Sequence, residues 1–279
     1  MKRILTALVL IPVVLAVVFL GPKSLFMLAT ATVAMLAGWE FIGLAQKNGA
    51  NAPRIAVLVA IFALFAGNYQ WPDLTTTIFG MLSLALLVYC TFANPVEAVM
   101  ADATTAVFCL FFVGFTLTSL TALREEVNGP SLVAFLFCVV WAGDIAALYI
   151  GRTWGRHKLA PKISPGKSWE GAVASVAGSV LAAGGLLALA NFISGQWDSA
   201  RLSFPLDPDL GIWYWLGLAV VVNIAAQVGD LAESALKRSA GVKDSGSLLP
   251  GHGGVLDRID ALLIAAPVLW YAQVIHQRF

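Results

Sequence analysis

A chain of 279 residues could form one large soluble domain or two ordinary ones. Composition excludes both: 59% of the residues are hydrophobic and 12% charged, against roughly 25% charged in a soluble domain. A net charge of +1 removes any case for nucleic acid from bulk basicity and leaves charge distribution as the informative quantity.

The apolar residues come in blocks of the length a helix needs to cross a hydrocarbon core of roughly 30 Å. In chain order the blocks cover residues 4–20, 25–45, 55–68, 77–92, 104–123, 132–150, 169–193, 212–232 and 259–275. The first follows Met1-Lys2-Arg3 and resembles a signal sequence, but it is longer than a signal core and no small-x-small cleavage site follows; it reads as a retained span. The third is short. Gly21-Pro22, Asn94-Pro95 and Gly129-Pro130 punctuate the connections. The fold class is therefore an all-α polytopic integral membrane protein with about nine transmembrane helices. Residues 1–130 form an N-terminal transmembrane part, and residues 131–279 a C-terminal catalytic part. Cys90, Cys109 and Cys138 all lie in apolar blocks without metal-site or disulfide spacing, and read as small buried hydrophobes.

Lys and Arg fix the orientation. With the N-terminus in the cytoplasm, 13 of the 17 Lys and Arg residues fall on the inside and 4 on the outside. The two longest basic loops, 151–168 and 237–258, then share the cytoplasmic side, while the 196–210 linker with Asp198, Asp207 and Asp209 is external.

Carboxylates in or beside apolar spans are costly and need a reason. Here they are Glu40, Asp144, Glu170, Asp230, Glu233, Asp257 and Asp260. Glu40 stands alone in its span and reads equally as functional or as a buried acid with a packing partner. The densest constellation begins at Gly229-Asp230. On one helix Asp230, Glu233, Ser234 and Lys237 fall at i, i+3, i+4 and i+7, one face. Arg238, Lys243 and Asp244 follow, then Pro250-Gly251-His252-Gly253-Gly254, whose small residues let backbone N–H groups approach an anion. Asp257, Arg258 and Asp260 open the last helix, where the N-terminus favours phosphate. Hard oxygen ligands beside cations suit transfer between phosphates, in which Mg²⁺ and Lys or Arg neutralise converging negative charge.

The second basic loop runs from Asp144 through Arg152 and His157 to Ser164, Lys167, Ser168 and Glu170. It reads either as part of the site or as an anchor for anionic headgroups. Gly166-Lys167-Ser168 matches the end of a P-loop, but Pro161 occupies the position of the required glycine. His157 reads as a polar loop residue rather than a base; His252, between glycines and near two acids, stays open. Ser234-Ala235-Leu236-Lys237 fits the S-x-x-K pattern of penicillin-recognising enzymes without its companion elements. An intramembrane aspartyl protease is disfavoured by Lys237, Arg238 and Arg258 around its would-be dyad. A transporter would place ionic residues at the midplane within repeated, broken helices, and neither is visible.

The stretch SALKRSAGVKDSGSLLPGHGGVLDRID, residues 234–260, resembles the signature of the phosphatidate cytidylyltransferase (CDP-diacylglycerol synthase) family. HKLAPKISPGKSWEG, residues 157–171, resembles that family's other cytoplasmic motif. Together they cover the C-terminal half from about Trp141; the first 130 residues match only as apolar spans. The resemblance implies that CTP and phosphatidic acid give CDP-diacylglycerol and pyrophosphate in phospholipid biosynthesis, with Mg²⁺ required and room for a second cation. It implies metal ligation by Asp230 and Asp257, with Asp260 and Asp144 as further candidate ligands, and Lys237 as a catalytic cation. Ser164, Lys167, Ser234, Arg238, Lys243, Asp244, His252 and Arg258 would bind substrate. One departure is Leu148, where many relatives have a tyrosine; Tyr149 is adjacent. Membrane lipids are the expected surroundings, a bacterial cell membrane the expected location and a homodimer an allowed assembly. A CTP-dependent lipid or polyprenol kinase is the alternative.

The charge split makes a direct prediction. In a Cys-free background, which should stay active, single cysteines at Ser164 and Ser247 are expected to react only with reagent on the cytoplasmic side. Labelling of either from outside intact cells would separate the two loops.

Overall fold

The computed structural model describes residues 2–196, 210–248 and 253–278. The helices are α1 (Lys2–Phe19), α2 (Lys23–Lys47), α3 (Arg54–Gln70), α4 (Thr75–Ala93), α5 (Val99–Glu125), α6 (Gly129–Trp154), α7 (Trp169–Gln196), α8 (Ile212–Ser239), the single turn α9 (Leu256–Ile259) and α10 (Leu262–Arg278). Helices dominate because hydrocarbon offers no partner to a backbone N–H or C=O, so each segment must satisfy its own. Among the described residues, 7 helices are long and apolar enough to cross a membrane. The chain is thus a multi-pass, helical membrane protein. The span at 55–68, expected to be short, falls on α3, of 17 residues, and the first span, at 4–20, on α1, of 18. The linker read as external falls mostly outside the described residues.

One departure from an all-helical chain is small. The loop after α6 forms a two-stranded antiparallel hairpin, β1 (Lys158–Ala160) and β2 (Ser164–Ser168), with Lys158 opposite Ser168 and Ala160 opposite Ser164. Its turn closes through Ile163 N–H to Ala160 O. The prolines at 161 and 165 oppose helix there, and a polar segment at the water boundary can pair strands instead.

The chain separates into two compact units that do not follow sequence order: residues 1–122 with 233–263, and residues 123–232 with 264–279. In the first, α2, α3 and α5 pack around Ala34, Ile42, Ile61, Leu64, Phe65, Leu110 and Val113. A Cβ on Gly38 would lie 2.8 Å from Ile61 Cδ1 and 3.5 Å from Cys109 Sγ, so α2 approaches its neighbours closely because that residue has no side chain. Residues 110–115 of α5 form a π-helical turn, and Phe79 packs on Phe115 at 4.8 Å between centroids. Beyond that turn, Thr121 Oγ1 accepts from Asn68 Nδ2 at 2.9 Å. Asp102, buried at the start of α5, accepts from Asn51 N–H and Asn94 Nδ2 and ties down two connections.

In the second unit α6 and α7 run antiparallel along a seam of small residues. Gly171 meets Gly151, where a Cβ would stand 3.2 Å from its Cα, and Gly178 meets Ala146, where a Cβ would stand 2.6 Å from that methyl carbon. Small residues at such contacts let backbones close and gain dispersion where lipid removes the hydrophobic drive. Asn223 of α8 reaches this pair, donating to Ser175 Oγ at 2.9 Å and Ser179 Oγ at 2.8 Å.

The seam is testable. Gly178→Val should lower stability by about 1–3 kcal/mol through overpacking, measured as the midpoint of thermal unfolding in detergent. Gly185→Ala, where an added Cβ meets nothing within 4 Å, should leave the midpoint near wild type.

Candidate active site

The second unit contains a cavity of about 490 Å³ where α6, the hairpin, α7 and α8 converge. α6 supplies Asp144, Leu148, Gly151 and Arg152 to its wall; β2 supplies Ser164, Gly166, Lys167 and Ser168; α7 supplies Gly171 and Ser175; α8 supplies Gln227 and Asp230. The hairpin can fold down onto the helix ends because glycines leave room. A Cβ on Gly155 would stand 2.5 Å from Ser168 Oγ, and one on Gly151 3.4 Å from it. Ser168 is buried there, and its Oγ accepts from Gly171 N–H at 3.2 Å, capping the start of α7. That placement turns Lys167 inward, and its Nζ lies 2.6 Å from Asp230 Oδ2.

Asp144 and Asp230 thus line one cavity with the hydroxyls of Ser164 and Ser168 and the cations Lys167 and Arg152. Two carboxylates on a shared wall suit a hard divalent cation that completes its shell with water and ligand phosphate. Among the described residues no group of three or more His, Cys, Asp and Glu side chains is placed to hold a metal by itself. His157 does not line this cavity. Its Nδ1 lies 2.7 Å from Glu170 Oε1 and its N–H donates to the same carboxylate, so it ties the hairpin to α7. Leu148 lines the cavity and Tyr149 does not: one residue along a helix turns by about 100°, so adjacency in sequence does not transfer the ring.

The remaining expected residues belong to the first unit. There Lys237 of α8 has its Nζ 2.6 Å from Glu233 Oε2 and 2.6 Å from Asp257 Oδ1. Glu233 is fully buried. Asp257 Oδ2 also accepts from Gly254 N–H at 2.8 Å and Ser245 N–H at 3.0 Å. Gly253 holds a positive φ of 79°, and a Cβ on it would press to 2.7 Å of Asp257 Oδ2, which makes glycine the fitting residue. Ser234 is buried on α8, and Arg238 donates to Val242 O at 2.9 Å. Lys243, Asp244 and Arg258 are exposed, and Asp260 accepts from Ala261 N–H at 2.7 Å. His252 lies outside the described residues.

Glu40, left open by the sequence, joins this cluster. Its Oε2 accepts from Leu256 N–H at 2.9 Å and Ser245 Oγ at 3.1 Å, while its buried Oε1 has no partner among the described residues. A Cβ on Gly246 or Gly254 would strike this carboxylate. The only sequence signal was a lone acid in an apolar span. Asn223 and Gln227, missed altogether, carried the same signal as amides within an apolar block.

Glu40→Leu should leave the Leu256 N–H without its acceptor, a cost of about 1–3 kcal/mol. Hydrogen exchange in peptides covering 253–259 is expected to speed up, with α3 and α4 unchanged. Glu40→Gln, which keeps a carbonyl acceptor, should retain most of the protection.

The sequence profile of the Cytidylyltransferase family matches residues 1–276. A protein of Brucella suis biovar 1 named phosphatidate cytidylyltransferase is 47% identical over 162 residues, 58% of this chain and 54% of the relative, so the match spans about half of that protein. Proteins of the same name from Haemophilus influenzae and Pseudomonas aeruginosa are 33% and 35% identical, each over 97% of both chains.

Proposed function

Because this chain belongs to the cytidylyltransferase family, we propose that it transfers the cytidylyl group of CTP to phosphatidic acid, giving CDP-diacylglycerol and pyrophosphate. The observation that carries this reading is the cavity in which Lys167 meets Asp230 at 2.6 Å beside Asp144, Arg152 and Ser164. It gathers anions and cations among apolar membrane helices, where a lipid phosphate and a soluble polyphosphate could both be received. The names carried by the relatives from Brucella, Haemophilus and Pseudomonas support the substrate pair.

In the proposed step a phosphatidate oxygen attacks the α-phosphorus of CTP. A new P–O bond forms, the bond from the α-phosphorus to the bridging oxygen breaks, and pyrophosphate leaves with those electrons. The nucleophile is already an anion, so the site needs little base catalysis; positioning and charge neutralisation dominate. Lys167 is held by Asp230 in position to exchange that carboxylate for phosphate oxygens, and Arg152 at the rim adds a second cation. Ser164 offers a hydroxyl to a phosphate oxygen. Asp144 and Asp230 would hold Mg²⁺, which when bound supplies neutralisation and orientation of the phosphates. Asp257 and Asp260, the other expected ligands, remain candidates, and Asp257 also fixes Lys237. Lys237, Ser234, Arg238 and Lys243 remain proposed phosphate contacts. The 13 Lys and Arg residues on one side support a cytoplasmic N-terminus and a cytoplasmic site.

A CTP-dependent lipid kinase would let an alcohol attack the γ-phosphorus, and it needs a base for the alcohol's proton. The cavity's two carboxylates, Asp144 and Asp230, are the proposed metal ligands, so an anionic nucleophile fits this lining better than one that must lose a proton. With purified protein, label in the α-phosphate of CTP is expected in the lipid fraction and γ-label in pyrophosphate; γ-label in the lipid would establish the kinase. Lys167→Gln and Asp230→Asn should each lower kcat by about 10²-fold or more, the scale of losing one preorganised charge contact. Near-normal turnover of either variant would remove that residue from the site.

A further inference from the structure

Ser175 of α7 and Gln227 of α8 line the cavity, and neither has a part in the phosphate chemistry. The network behind them is anchored at both ends by backbone carbonyls, which only accept, so the direction of every hydrogen bond follows. Gln227 stands 3.2 Å from Ala172 O, so the atom facing it is the amide nitrogen. The same nitrogen lies 2.7 Å from Asn223, whose facing atom is therefore its carbonyl oxygen. The Asn223 nitrogen then points the other way and donates to Ser175 and Ser179. Ser179 spends its own proton on Val139 O at 2.6 Å, which closes the chain.

Two valences remain unused, one on each of the cavity-lining residues. Gln227 Oε1 takes no protein hydrogen bond among the described residues. The Ser175 oxygen accepts from Asn223, so its proton is available to donate. The lining therefore holds an acceptor and, on the buried Ser175, a donor linked to it through one amide, and the acceptor cannot flip to become a donor because its NH₂ group is committed.

We propose that this pair reads the pairing edge of a cytosine base: Gln227 Oε1 accepts from the exocyclic amino group, and Ser175 Oγ donates to the neighbouring ring nitrogen. Uracil presents a carbonyl and a ring N–H in those places, which opposes acceptor to acceptor and donor to donor. Mismatched buried polar groups discriminate more strongly than a change of size. Adenine carries the same donor and acceptor order and is rejected by its bulk, so the informative competitor is UTP. Gln227 and Ser175 thus become specificity-determining residues; the inference rests on the nucleotide-using reading above.

The test uses the full-length protein in detergent with phosphatidate and Mg²⁺, comparing kcat/KM for CTP, UTP and 2′-deoxy-CTP. Gln227→Met fills the same space without hydrogen-bonding groups, and should reduce the CTP-to-UTP ratio by about 30-fold, chiefly through loss on CTP. Ser175→Ala should reduce it by about 5-fold while Asn223 keeps Ser179 and Gln227. If Gln227→Met does not fold, the serine variant decides alone. Thermal protection of the wild type by CTP over UTP, without phosphatidate, gives a readout independent of turnover, and it should shrink in both variants. An unchanged ratio in folded variants overturns the proposal. Lost discrimination against deoxy-CTP with the UTP ratio intact also overturns it and assigns the pair to the ribose. A wild type that releases no pyrophosphate from CTP defeats the underlying function, whereas a wild type that turns over CTP and UTP equally defeats only the base reading.

Discussion

A polar side chain within hydrocarbon has no water to turn to, and the single amide of Asn223 shows how much follows from that. Its three hydrogen bonds join α7 and α8, and Ser179 carries the chain on to α6. The seam between α6 and α7 can be built from glycine and alanine, which fill little volume, because this network adds directional adhesion to close backbone contact. Replacing it with leucine would exchange geometry for bulk, and the bulk would meet Gly143, where even a Cβ collides with the Asn223 amide. Close approach and polar satisfaction depend on each other here.

The charged groups follow the same rule with larger stakes. Lys237 carries one positive charge against Glu233 and Asp257, and Asp257 offsets the imbalance by accepting two backbone N–H groups from the glycine-rich loop. Such an arrangement fixes a long, flexible ammonium in one place, and removing Lys237 would leave two neighbouring carboxylates without their cation, which is far more costly than the pairing is stabilising. In the cavity of the other unit, Lys167 and Asp230 pair at the same 2.6 Å but are both partly exposed, so solvent screens their attraction. The two lysines share a pairing distance and differ in burial.

Much of this was legible in the sequence. Apolar blocks found the helices because a bilayer imposes both their length and their composition, and the two basic loops were located by the same logic. Ser164, Lys167, Asp144 and Asp230, all singled out in the sequence, line one cavity. What the sequence could not give was partner choice. The resemblance implies metal ligation by Asp257, and nothing in the spacing shows that its oxygens also meet Lys237, Ser245 and Gly254. Glu40 lies more than 200 residues from Ser245 and Leu256, and no local pattern links them. The hairpin at 158–168 was hidden because its strands are three and five residues long and carry no alternating apolar pattern. Asn223 and Gln227 were visible only as polar letters in an apolar block, with nothing to say that they shared one hydrogen-bond chain.

The π-helical turn at residues 110–115 has a bearing on which changes in chain length α5 can absorb. Such a turn holds one residue more than the α-helical turn it replaces. Deleting a single residue there would convert the wide turn into an ordinary one and leave the faces on either side nearly where they are. Thr121 would keep Asn68, and Phe41 would keep Phe108. A deletion elsewhere in the span would rotate everything downstream by about 100°. The turn is therefore the place in α5 where the loss of one residue is absorbed with the least change in helix facing.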